Sequence, residues 1–157
     1  MFTPFSYRLG GKGLGLMKEV ARGGERSAVV RYPALAVCVG QFGSIQSVAP
    51  SFGVELSPVN ARDAEEIERG LSDFARTENG GLIVTASALT TVHRQLIIRQ
   101  AARRKLPTVY WQRVYVADGG LISYGPNIQE QYRLAAGYVD RILKGEKPAD
   151  LPVQAPT

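Results

Sequence analysis

The chain has 157 residues, of which 45% are hydrophobic and 21% are charged, and its formal net charge is +5. This length accommodates one domain with a substantial core and excludes two domains of ordinary size. Cys38 is the single cysteine and His93 the single histidine. An intrachain disulfide, a cysteine metal cage and a two-histidine metal motif are therefore excluded, and we expect neither a metal ion nor a cofactor.

The positive charge is spread over predicted helices, and it is densest in one group: Arg94, Arg99, Arg103, Arg104 and Lys105. Cations suit the solvated face and last turn of a helix, and no aromatic residues interleave them as in single-strand binders. We expect no nucleic-acid partner. No apolar stretch reaches the ~18 residues that span a bilayer, and the N-terminus lacks a secretory signal. As written, the chain is predicted to be soluble and unexported, hence cytoplasmic.

Hydrophobic periodicity predicts helices alternating with short apolar strands. In chain order, the first half is predicted as a helix over 7–21, a strand over 27–32, a helix over 34–52 and a strand over 54–59. Pro58 cannot donate to a strand ladder, which predicts an edge position for the second strand. Glycines at 10, 11, 13 and 15 suggest a dinucleotide loop, but we reject it because no strand precedes them.

The second half continues the alternation of helices and strands. A helix capped by Asp63 is predicted over 64–76, a strand over 82–84, a helix over 92–105, strands over 108–111 and 121–124, and a helix over 128–144. The apolar stripe predicted for that last helix consists of Tyr132, Ala135, Ala136, Val139 and Leu143. Gly145 and Pro148 end the helix. Residues 146–157 are predicted as an extended tail.

Strands that are apolar on both faces and alternate with helices predict an α/β fold, a three-layer α/β/α sandwich with a mainly parallel sheet. Residues 1–157 are predicted to form a single lobe. Right-handed crossovers bring all strand-to-helix loops to one edge, outside the carboxyl ends of the strands, where ligands bind in open sheets.

The candidate site centres on residues 109–127, where two apolar runs end in aromatic and amide side chains on either side of a double glycine. Trp111 and Tyr124 could stack on a flat ligand group, while hydroxyl and amide side chains could bind a carboxylate or amide: Thr85, Ser87, Gln112 and Asn127. The alternative is that the two rings complete the core and that Thr85, Ser87 and Asn127 stabilise helix starts. Their shared location on one edge favours binding.

Catalysis is not predicted. An α/β enzyme would need a nucleophile and a base, and Ser87 and His93 are close in sequence, but no acid is available to orient the histidine. The sequence therefore predicts a protein that is not an enzyme.

Four segments resemble the substrate-binding proteins of bacterial ABC transporters, in particular the group with tryptophan- and tyrosine-type amino-acid binders. They are GLIVT at 81–85, LPTVY at 106–110, GGLISYG at 119–125 and YVDRILKGEKPADLPV at 138–153. The last is the most specific, since a helix ending in Lys-Gly-x-Lys-Pro-x-Asp-Leu-Pro recurs in that family. The resemblance covers nearly the whole chain.

The resemblance implies a periplasmic-binding-protein-like fold of type I, in which two lobes close on an amino-acid-like small molecule and present it to a membrane permease. It implies a periplasmic location and ligand contacts from Thr3 near the hinge, Tyr32, Thr85, Ser87, Trp111, Gln112, Tyr124 and Asn127. This chain resembles the second lobe, with residues 146–157 running toward the hinge and the first lobe missing.

Two further hypotheses follow from the missing first lobe. The chain could be a stand-alone sensor or regulatory effector-binding module, or a truncated lobe without function. The surface that a first lobe would cover also predicts a possible homodimer, and light scattering that shows a monomer at high concentration would count against it.

Overall fold

A five-stranded parallel sheet organises the larger of the two units into which the chain divides. The computed structural model describes residues 6–21 and 24–152, with side chains from residue 11. The strands are β1 (Arg26–Arg31), β2 (Glu55–Asn60), β3 (Gly80–Val84), β4 (Thr108–Tyr110) and β5 (Ile122–Ser123). Their order is β2-β1-β3-β4-β5, and every pair is parallel. This confirms the predicted sheet and the edge position of β2, which contains Pro58.

Helices cover both faces of this sheet and complete the predicted three layers. The helices of this unit are α1 (Ser6–Val20), α2 (Ala36–Val48), α3 (Ala64–Phe74), α4 (Ala88–Val92), α5 (Arg94–Arg103) and α6 (Arg113–Ala117), and the second unit contains α7 (Ile128–Leu143). On one face α3 and α5 bury a core that includes Ile67, Leu82 and Ile97, while on the other α1 and α2 bury one that includes Met17 and Ile45. Alternate residues of β1 serve the two cores.

Three helices differ from the sequence prediction. The helix predicted over 34–52 ends at Val48 and continues as a 3-10 turn over Ala49–Phe52, because Pro50 cannot donate to an α-helical ladder. The helix predicted over 92–105 begins earlier and is divided at His93 into α4 and α5. Helix α6 was expected as a loop.

The second unit includes residues 126–152, and α7 is its main element. At the N-terminus of α7, Asn127 Oδ1 accepts from Glu130 N at 3.2 Å, so the side chain caps the helix. After its C-terminus, Gly145 adopts a positive φ of 102°, in agreement with the predicted end of the helix. The predicted tail contains a 3-10 turn over Pro148–Asp150, and the Tyr138 hydroxyl donates to Pro152 O at 2.6 Å.

Members of the apolar stripe predicted for α7 are solvent-exposed. Tyr132 is 75% exposed, Val139 55% and Leu143 82%, and no residue of α7 is buried. The spacing of these residues is that of a helix face made for burial, and such a face normally lies against other apolar surface.

Tyr110 at the end of β4 gives the structure a pH dependence. Burial is the main cause that raises the pKa of its phenol from 10.0 to about 12. Between these values the unfolded chain loses a proton that the folded chain keeps, so stability is full below pH 10 and falls as the pH rises toward 12. We expect Tyr110→Phe to reduce this loss in urea unfolding at pH 9 and pH 11, and an equal loss in both proteins would contradict the assignment.

Candidate ligand-binding edge

The strand order places a topological switch point between β1 and β3. The chain leaves β1 toward β2 on one side, and it returns on the other side to continue through β3, β4 and β5. In open α/β sheets of this order the loops after the two central strands separate at their carboxyl ends and leave a crevice for ligands. Tyr32 follows β1 and Thr85 follows β3, so two predicted site residues flank the switch point.

The register brings the other predicted loops of this unit to the same edge. Val30 pairs with Val84, Val84 with Tyr110, and Tyr110 with Ser123. The residues that follow these strand ends include Trp111 and Tyr124, and backbone bonds extend the ladder there: Thr85 N donates to Val30 O at 3.0 Å and Tyr124 N to Tyr110 O at 2.8 Å.

The hydroxyl groups of Thr85 and Ser87 bind within the protein. Thr85 Oγ1 donates to Val30 O at 2.8 Å, and Ser87 Oγ accepts from Thr90 N at 3.0 Å as the N-cap of α4. Both residues are buried. Their hydrogen bonds thus fix the shape of the loop after β3, and the Ser87 hydroxyl pairs with Thr90.

Helix α2 is tied directly to the loop after β3. Gln41 Oε1 accepts from Ala86 N at 3.0 Å, and Cys38 Sγ donates to Ala86 O at 3.3 Å. Both side chains are buried. The sequence prediction assigned neither residue to the site. The signal available was a polar amide at a core position of an otherwise apolar helix.

Trp111 and Gln112 follow β4, and their side chains differ in their hydrogen bonding. The half-buried Trp111 ring packs against the core below α5, and its Nε1 donates to Tyr115 Oη at 3.2 Å. Gln112 is the N-cap of α6, makes no side-chain cap bond and is half-buried. Its amide therefore remains available for a ligand.

The remaining predicted residues lie in different parts of the chain. Tyr32 is half-buried and its backbone oxygen accepts from Leu35 N at 3.2 Å, while Tyr124 is half-buried against the core below α1 and α2. Asn127 belongs to the second unit, where its side chain caps α7. Thr3 lies outside the residues that the structure describes.

Two polar residues at this edge were missed by the sequence prediction. Arg31 ends β1 and Asn60 ends β2, and they are partners in the sheet register. Both are half-buried, and Arg31 Nε and Asn60 Oδ1 are buried atoms without a hydrogen-bond partner. The Arg31 guanidinium carbon lies 4.5 Å from the centre of the Phe42 ring. Nothing in the strand pattern distinguishes such residues from ordinary solvated strand ends.

Two clefts lie away from the carboxyl edge. One of about 480 Å³ includes Asn79, Lys105 and Pro107 at the amino ends of the strands, and another of about 340 Å³ includes Ile98 and Leu121. Neither gathers the polar loop residues after the strands. Within the described residues, no group of three or more His, Cys, Asp or Glu could hold a metal ion. The same residues contain no helix long and apolar enough to cross a membrane.

The sheet is doubly wound and parallel, and its carboxyl edge carries aromatic, amide and guanidinium groups. This architecture is typical of α/β proteins that bind small molecules. The chain belongs to the ABC transporter substrate binding protein family, whose model matches residues 12–157. Its fold is the type I fold of periplasmic binding proteins. A search of curated proteins finds no match.

Solved structures share this fold at low sequence identity. A conserved domain protein from Vibrio cholerae aligns with a TM-score of 0.80 and 20% identity over 98% of this chain and 51% of its own. An ABC domain from Streptococcus pneumonia in complex with L-Trp aligns with a TM-score of 0.79 and 16% identity over 94% of this chain and 51% of its own. A LacI family transcriptional regulator from Bifidobacterium animalis has a TM-score of 0.72 and 16% identity, over 100% of this chain and 59% of its own. The chain thus spans about half the length of the first two structures.

Proposed function

We propose that this chain is the ligand-binding half of the substrate-binding component of an ABC transporter, acting on an amino-acid-like solute in the periplasm without catalysing a reaction. The observation that supports the proposal is that Tyr32, Gln112 and Tyr124 follow strand ends along one carboxyl edge, in a chain of this family. The partially exposed rings offer stacking surface, and the Gln112 amide offers hydrogen bonds. An amino acid presents both kinds of group in a small volume.

We propose further that binding uses two lobes. The two most similar structures cited are about twice as long as this chain, and the exposed apolar stripe of α7 is suited to lie against a further lobe. A ligand that touches both lobes stabilises the closed form, which a permease can recognise. Covering of the stripe by a second copy of this chain is the alternative that light scattering tests.

The two-lobe arrangement sets the expected affinity. A micromolar site corresponds to about 8 kcal/mol, so a lobe that supplies half of it binds in the millimolar range. We expect saturation-transfer NMR of these 157 residues with the twenty L-amino acids at millimolar concentration to identify weak, saturable binders. Absence of any saturable signal across the panel would contradict the proposal.

A further inference from the structure

Arg31 is a half-buried cation at the carboxyl edge that has no hydrogen-bond or ion-pair partner among the described residues. No hydrogen bond or ion pair joins it to any of them, and its Nε is a buried, unpaired donor. The Phe42 ring covers one face of the guanidinium at 4.5 Å and leaves its edge for other groups. A partly buried guanidinium without an acceptor is costly, and an anion removes that cost.

Among the described residues no ion pair includes Arg31, and two half-buried carboxylates of this unit are paired with other arginines. Glu66 binds Arg62 at 2.9 Å, and Asp118 binds Arg94 at 2.6 Å. Since no carboxylate of the described residues forms an ion pair with Arg31, the structure favours an anion that comes from outside. Arg31 directly precedes Tyr32, so such an anion would lie beside the switch point.

Asn60 adds an acceptor next to this donor. It is the register partner of Arg31 on β2, and paired residues of parallel strands project from the same face. Its Oδ1 is also buried and unpaired. An unpaired donor and an unpaired acceptor side by side match a ligand that carries an acceptor and a donor on adjacent atoms.

We infer that Arg31 and Asn60 form a subsite for the head group of an α-amino acid, with the carboxylate on the Arg31 guanidinium and the ammonium on the Asn60 oxygen. An α-hydroxy acid presents the same pair of groups, with a hydroxyl as donor. The inference rests on the proposed function and names the chemical class of its ligand.

Arg26 at the other end of β1 provides a matched control. Its guanidinium also lies over an aromatic ring, 4.8 Å from the centre of Phe74, and its Nη1 is also unpaired. It differs in position, because it lies at the amino edge, and in its register partner, which is the carboxylate residue Glu55. Arg26→Gln therefore removes the same chemistry from the same strand without touching the proposed subsite.

The test uses the tightest-binding L-amino acid of the twenty, the amine that lacks its carboxylate, and the corresponding 2-hydroxy acid, measured by NMR titration. We expect the amine to bind at least about 10-fold more weakly than the amino acid, since a hydrogen bond to a charged group is lost. We expect Arg31→Gln to lower the affinity for the amino acid and for the hydroxy acid about 10- to 100-fold and to leave the affinity for the amine unchanged. Arg31→Lys should bind the amino acid more tightly than Arg31→Gln does. Asn60→Asp should lower the affinity for the hydroxy acid. Arg26→Gln should leave all three affinities unchanged.

Circular dichroism melting of each variant separates lost binding from lost folding, and Arg31→Lys keeps the test decisive if Arg31→Gln unfolds. Two results would overturn the inference while the proposed function stands. One is an amine that binds as tightly as its amino acid, and the other is an Arg31→Lys variant whose affinities for the amino acid and the amine fall equally. Failure of every amino acid and hydroxy acid to bind the wild-type chain overturns both.

Discussion

Tyr115→Ala is expected to lower the free energy of unfolding by about 3–5 kcal/mol, the range for removing a large buried ring. Tyr115 lies in α6, is 0% exposed and stacks on Tyr110 with ring centres 5.0 Å apart. Its hydroxyl also accepts the hydrogen bond of Trp111 Nε1. The substitution thus opens a cavity and releases the indole that follows β4. Urea unfolding followed by circular dichroism measures the loss.

Tyr115→Phe separates the two contributions. It keeps the ring and removes the hydroxyl, so we expect a loss of about 1 kcal/mol together with a change in Trp111 fluorescence. A Tyr115→Ala protein as stable as the wild type would show that α6 does not pack on the core. Equal losses in the two variants would show that the hydrogen bond, and not the ring, provides the stability.

Gly125→Ala is expected to cost about 1–3 kcal/mol or more, because the added Cβ would overlap the backbone carbonyl oxygen of Trp111. A carbonyl in the strand-to-helix loop cannot rotate away as the end of a flexible side chain can. The loops after β4 and β5 would have to separate. Since both loops belong to the candidate site, binding of the amino-acid panel should weaken along with stability.

Gly43→Ala is the matched control for this substitution. Gly43 is exposed in the interior of α2, and nothing lies within 4 Å of the position a Cβ would take. Alanine there should raise stability by about 0.5–1 kcal/mol, since glycine is the weaker helix former. A Gly125→Ala variant that is also stabilised would contradict the close approach of the two loops.

The sheet could be predicted because its signals are local. Apolar runs between glycine, proline and cap residues define each strand, and Asp63 Oδ1 accepts from Glu66 N at 2.7 Å as a cap should. Helix α6 was missed because the double glycine at 119–120 dominates that stretch, although the buried Tyr115 lies just before it. A five-residue helix has too few turns to give a periodic pattern.

The candidate site was predictable only in its location. Pattern and topology identify the loops, but whether a hydroxyl faces a ligand or its own backbone depends on three-dimensional contacts. The hydroxyl of Thr85 and the Oγ of Ser87 both have partners within the protein. The unpaired state of Arg31 and Asn60 depends equally on distant residues, so no sequence window could indicate it. The α7 stripe was correctly spaced, but spacing does not specify which surface covers it.

The carboxyl edge of the sheet is the proposed place where the solute binds. The most direct test is an amide chemical-shift map of isotope-labelled protein with and without the tightest-binding L-amino acid. We expect the largest shifts at Arg31, Tyr32, Ala86 and Gln112, which lie along the carboxyl edge of the sheet. The largest shifts at Asn79 and Lys105, in the cleft at the amino ends of the strands, would contradict it.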